Sequence, residues 1–273
     1  MTTFHRTAVA AVAFALLVPV TAAEAHKAWL LPSSTVLSGK EGLAVTIDAA
    51  ASNDLFFFDH RPLPLRGLTV TAPGGAAVTH EHESTGKYRT TFDVPLKDAG
   101  TYRIALVNDG LFARYKEDGK QKRWRGKAED LAKQIPAGAT DLVVTQSQRR
   151  LETFVTVGAP DEAALKPTGA GLELLPVTHP NDLFANGEAE FKLVLDGKPA
   201  AGVKVEIVRG GIRYRNKLGD VTVTTDENGA FKYTWPEAGM YWMEAAVTDD
   251  KTSVKDAKER RASYAVTLEV LPE

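Results

Sequence analysis

The chain contains no cysteine. That single absence removes disulfides, thiolate metal sites and thiol nucleophiles, so soft-metal chemistry has to rest on histidine, methionine or carboxylates. An excess of charge of either sign is also missing. The 33 basic and 35 acidic residues leave a net of −2, which argues against a nucleic-acid partner. After the first residues there is no long apolar run, and so no candidate membrane-spanning segment. The G-x-S-x-G, H-E-x-x-H and P-loop motifs are absent as well. The histidines are too scattered for spacing to propose a hydrolytic triad.

The first 25 residues carry the pattern of a secretory signal. Arg6 gives a positive start, Ala8 to Val20 an apolar run, and Ala23-Glu24-Ala25 an A-x-A cleavage site. The run is too short for a transmembrane anchor, since a hydrocarbon core is about 30 Å thick. Cleavage after Ala25 makes His26 the first residue of an exported chain, with a small-residue cut near Ala23 as the alternative.

From residue 35 onward nearly every segment reads as a strand. "GLAVTID", "KYRTTFDV", "TYRIALV", "AEFKLVL", "VKVEIV" and "YWMEAAV" are short and mostly alternating, and Gly, Pro, Asn or Asp bound them. The chain also repeats itself. "GKYRTTFDVPLKDAGTYRIALV" answers "GAFKYTWPEAGMYWMEAAV", and Gly67 to Gly100 is spaced much as Gly202 to Gly239. Tyr102 and Tyr241 follow the Ala-Gly of each copy, where a tyrosine corner belongs. The expected fold is therefore all-β, with two Ig-like or transthyretin-like β-sandwich domains in tandem. The first spans 26–160, a linker 161–171 holds Pro167, Gly169 and Gly171, and the second spans 172–273. A basic excursion at 113–139 interrupts the first domain. Its Lys127 to Gln134 segment is helical by spacing, with Leu131 and Ile135 on one stripe, and it stops before Pro136.

Metal ligation is the chemistry these residues suit best. An N-terminal His26 offers the α-amine and the ring Nδ1 from one residue, and both can close on one ion. "AWLLP" follows at once and would dock the terminus as an edge strand. His60, in "NDLFFFDHRPL", is a second candidate, with Asp59 to ligate or orient it. His179, in "VTHPNDLF", is a third, placed near the linker where it could face the first domain, or else a plain loop residue. His80 and His82 form "HEH"; on a regular strand their side chains share a face about 6.5 Å apart, although a polar strand end is the favoured account. The basic residues around Trp124 are expected to be a solvated flap, with docking of a membrane partner or an anionic ligand as the alternative.

"AHKAWLLPSS", "NDLFFFDHRPL", "TYRIALVNDG", "KRWRG" and "GLELLPVTHPNDLF" together resemble a bacterial periplasmic family, domain of unknown function 4198. That family is commonly labelled the periplasmic component of a cobalt or nickel transport system. The resemblance runs over essentially the whole chain after the signal. It implies a periplasmic location and a second domain similar to the carboxypeptidase-regulatory sandwich, and it favours divalent metal binding without choosing ligands. The resulting expectation is a non-enzymatic protein that binds nickel, cobalt, copper or zinc through His26, His60 and His179. His80 and His82 would form a secondary site. A membrane permease or outer-membrane receptor would take the ion. The rivals are a copper oxidase or monooxygenase built on a histidine brace at His26, and a metal-free module that binds glycan or an envelope partner.

Overall fold

The computed structural model describes residues 26–39 and 42–273. The expected signal segment and its cleavage site lie outside the described residues. In chain order the strands are β1 (Lys27–Pro32), β2 (Val36–Leu37), β3 (Leu43–Ser52), β4 (Arg61–Pro62), β5 (Leu68–Thr71), β6 (Glu81–Thr85) and β7 (Thr90–Leu96). Two long strands follow, β8 (Gly100–Glu117) and β10 (Thr140–Val157), with β9 (Lys120–Gly126) and helix α1 (Ala128–Gln134) between them. The C-terminal half holds β11 (Leu172–Pro176), β12 (Glu188–Leu195), β13 (Lys198–Pro199), β14 (Lys204–Arg209), β15 (Val221–Thr224), β16 (Ala230–Thr234), β17 (Gly239–Asp249) and β18 (Glu259–Val270).

These strands form three sheets in layers. The first has the order β1-β3-β7-β6, with β4 also on β3. The middle sheet has nine strands, β15-β14-β17-β18-β10-β8-β5, with β2 on β10 and β9 on β8. The third is β11-β12-β13, with β16 also on β12. The two halves of the chain meet inside the middle sheet, where β10 and β18 pair in parallel from Thr145↔Glu259 to Thr153↔Thr267. Alternation then sends neighbouring side chains of β10 into different cores. Leu151 and Val155 join Trp29, Ile47, Phe92, Ile104 and Trp242 under the first sheet. Phe154 joins Phe191, Trp235, Tyr241 and Tyr264 under the third. The chain is thus all-β, with two sandwich cores that share one sheet.

Both tyrosine corners are present. The Tyr102 hydroxyl donates to the carbonyl of Asp98 at 3.1 Å, and that of Tyr241 to the carbonyl of Glu237 at 2.8 Å. The segment between the halves is docked, with Leu165 in the second core. Beside it a buried polar network spans the sheets. Arg150 reaches Glu152 at 3.1 Å and Glu173 at 3.4 Å, and the Tyr264 hydroxyl donates to Glu152 at 2.8 Å.

The excursion departs from its sequence reading in its first half. It continues the β pattern as a hairpin of β8 and β9, turning at Asp118 and Gly119, both in the left-handed region (φ 49 and 71). Two successive positive φ values make the tight hairpin turn that suits an Asp-Gly pair. The helix then forms where Leu131 and Ile135 predict it. Leu131 is buried against Leu111, Ala113 and Val144, and Trp124 Nε1 donates to Gln134 Oε1 at 2.8 Å.

Candidate functional site

The site lies at the rim of the first sheet and is organised by one end of β3. Lys27 of β1 pairs with Ser52 on one edge of that end, and Arg61 of β4 pairs with Ala51 on the other. His26 and His60 each stand one residue outside these strands, so β3 brings together two imidazoles that are far apart in sequence. Their rings stack, with centroids 3.6 Å apart and planes 5° from parallel.

Packing holds both carriers in place. Trp29 is fully buried, and Phe56 and Phe58 from the loop that precedes His60 lie 5.6 and 6.1 Å from its ring. That stretch is a loop rather than the strand its three phenylalanines suggest, and Phe56 turns it with φ 60. On the other side, Trp242 Nε1 donates to the carbonyl of Ala28 at 2.9 Å, and Lys27 pairs with Glu206 at 2.8 Å. The start of β1 is therefore tied to the C-terminal half. Asp59 accepts a hydrogen bond from the Ser52 hydroxyl, which turns this carboxylate toward the same end of β3.

Partial burial lowers the His26 pKa, and the positive charges of His60 and Arg61 lower it further, while Asp59 opposes them. The balance favours a neutral imidazole, the form that ligates a metal. The lone pairs of parallel stacked rings do not converge, so one ring has to turn out of the stack before a single ion can accept both. His60 is exposed and His26 half-buried, so the turn meets little packing.

The other candidates are placed elsewhere. The structure does not bring His179 to this pair, because both of its ring nitrogens are already in use. Nδ1 accepts the backbone N–H of Asn181 at 3.1 Å, which leaves the proton on Nε2. Nε2 lies 3.0 Å from Thr101 Oγ1 and 3.3 Å from the carbonyl of Asp161. Burial is the main influence that lowers its pKa. His179 ties the start of β8 and the segment after β10 to the second half of the chain.

His80 and His82 do not form the two-ring face expected of a regular strand. His82 has φ 52, and the pairing of β6 with β7 shifts register between Glu81 and Ser84, so the two-residue alternation is broken there. His80 Nε2 meets Glu83 at 3.2 Å and His82 Nδ1 meets Asp93 at 3.0 Å. Each imidazole has its own carboxylate, Glu83 on the exposed edge strand β6 and Asp93 on its neighbour β7. Among the described residues no three His, Asp or Glu side chains converge as a ready metal cage.

One set of neighbours escaped the sequence reading. On the face of the middle sheet beyond the first sheet's rim, Leu151 gives way to Arg149 on β10, Ala265 to Ser263 and Arg261 on β18, and Trp242 to Glu244 on β17. A charged residue in step with core positions was visible in "SQRRLETFV" and "YWMEAAV". Only the pairing of the strands puts these residues on neighbouring rungs of one face.

A model of the family described as a domain of unknown function, DUF4198, matches residues 23–249. The chain belongs to the DUF4198 family. The matched DUF4198 region runs from just before His26 to the end of β17 and takes in every histidine considered above. No curated protein matches the chain. Solved structures similar to it include the D0-D1 domain of intimin, at 14% identity over 89% of this chain and 97% of that one, with a TM-score of 0.23. An Escherichia coli alpha-2-macroglobulin activated by porcine elastase shares 14% identity over 91% of this chain and 20% of its own, with a TM-score of 0.24. A DUF3823 family protein from Bacteroides uniformis shares 13% over 90% of this chain and 100% of its own, with a TM-score of 0.23. The architecture of this DUF4198 chain rests on its own strand pairing, not on these likenesses.

Proposed function

We propose that this protein is a periplasmic carrier for a divalent transition ion, with His26 and His60 as its paired ligands. Processing after Ala25 converts the backbone nitrogen of His26 from a peptide nitrogen into an amine. Amine and ring Nδ1 then chelate the ion from one residue, and His60 supplies a second imidazole. The observation that supports this reading is the His26–His60 stack on a docked strand, with Asp59 beside it as an oxygen donor. Nitrogen donors with one carboxylate suit nickel, cobalt, copper or zinc. Ligand capture releases protons, so affinity falls as the imidazoles protonate below about pH 6. The ion would pass to a membrane permease or an outer-membrane receptor.

Calorimetric titration of the chain beginning at His26 with nickel, cobalt, copper and zinc tests this. One saturable site is expected, weakened in His60→Ala and unchanged in His179→Ala and His82→Ala. No saturable heat with any of the four ions would overturn the reading and leave the glycan- or partner-binding module as its replacement. The amine, Nδ1 and second imidazole are also the donor set of a histidine brace. Sustained ascorbate-driven peroxide formation by the copper-loaded chain would therefore make the protein an oxidase instead of a carrier.

A further inference from the structure

The face of the middle sheet next to the histidine pair collects guanidinium groups without matching partners. Arg149 lies half-buried one alternation step beyond the core residue Leu151. Arg125 reaches the same face from the β8–β9 hairpin, because it pairs with Phe112, which pairs in turn with Thr145, two alternation steps from Arg149. Arg61 follows His60 directly. These charges lie close enough to act on one another: Arg125 repels Arg61, and both repel Arg149. Like charges are gathered at a cost unless something anionic offsets them.

The carboxylates nearby offset them only in part. Glu206 is taken by Lys27, and Asp59, held by the Ser52 hydroxyl, serves the histidine pair. Glu244 attracts Arg149 more than either arginine repels it, but the two form no ion pair within 4 Å, and burial works against the charged form of Glu244. Among the described residues Arg61, Arg125 and Arg149 donate no side-chain hydrogen bond and enter no ion pair. Each guanidinium therefore keeps the planar fork that fits a carboxylate through two parallel bonds.

We propose that the ion is taken up as a complex with a small polycarboxylate, whose anionic groups are held by Arg61, Arg125 and Arg149 while His26 and His60 ligate the metal. This rests on the carrier reading and names its cargo: a negatively charged metal chelate in place of the hydrated cation. Net positive charge beside a cation site opposes a bare divalent ion and favours one whose charge a chelator has reversed.

Equilibrium dialysis of the chain beginning at His26 against radiolabelled citrate, with and without nickel, tests it. Citrate is expected to be retained together with nickel in equal amounts. Arg149→Gln and the more exposed Arg125→Gln should each weaken citrate retention at least about tenfold, the usual worth of a charge-assisted contact, with nickel still bound. The Arg125 variant, in a surface hairpin, guards against loss of the fold. Nickel retained without citrate would overturn the chelate proposal and leave the carrier reading standing. Citrate retained equally in the absence of nickel would overturn it too. Retention of neither would sink the carrier reading along with it.

Discussion

Trp29 is the side chain on which the geometry of the histidine pair most depends. It is 1% exposed and lies edge-on to Phe56, 5.6 Å away, with Phe58 at 6.1 Å, so it anchors both β1 and the loop that leads to His60. Truncating a buried tryptophan to alanine costs about 3–5 kcal/mol. In this protein Trp29 Nε1 is buried with no hydrogen-bond partner. An unsatisfied buried donor already costs the native state about 1–3 kcal/mol. Removing it offsets part of the cavity term, which puts Trp29→Ala near the lower end, about 3 kcal/mol. Trp29→Phe keeps an aromatic ring between the phenylalanines and removes the unpaired donor, so it should stay within about 1.5 kcal/mol of the native protein. Urea unfolding at constant m-value measures both, and nickel titration of the folded variants reads the site. The alanine variant should bind nickel more weakly, and the phenylalanine variant should bind it almost normally. A phenylalanine variant as unstable as the alanine one, or an alanine variant losing under about 1 kcal/mol, would refute the packing argument.

Removing Arg150 leaves Glu152 and Glu173 buried without their guanidinium, so Arg150→Met should lose about 3–5 kcal/mol. Adding Glu152→Gln and Glu173→Gln should recover much of it in the same denaturation assay; no recovery would mean that the charges are not the cause. His179 has a folded pKa below its ordinary 6.5. Its neutral ring therefore contributes stability that is present above that value and lost as the pH falls through the depressed folded pKa. The stability gap between native protein and His179→Gln should narrow in urea melts taken from pH 8 down to about pH 5. A gap independent of pH would contradict the neutral, doubly bonded assignment.

Much of the architecture could be read from local pattern. Strand alternation, the two Ala-Gly-x-Tyr corners and the helical spacing of Leu131 and Ile135 each depend on a few neighbouring residues, and the structure carries all three. The parallel join of β10 to β18 was hidden because it pairs residues more than a hundred positions apart. Nothing in either strand names its partner. The docking of β1 was legible in "AWLL", and with it the fixed position of His26. Residue type alone makes His60 a candidate, but its meeting with His26 depends on both flanking one end of β3. His80 and His82 lie at the polar strand end that "HEH" favours, and one left-handed residue keeps their rings off a shared face. Proximity to the linker is what makes His179 a candidate. Its two nitrogens are instead consumed by Asn181, Thr101 and Asp161, an involvement no spacing rule reports.

The central claim is that the freed amine of His26 and the ring of His60 bind one ion together. The most direct measurement is nickel affinity for the chain beginning at His26 against the same chain with a single alanine placed before it. Moving the amine off His26 breaks the chelate and leaves the fold and both imidazoles untouched. The account predicts a saturable single site in the first and binding at least about tenfold weaker in the second. Equal affinity in the two chains would contradict it.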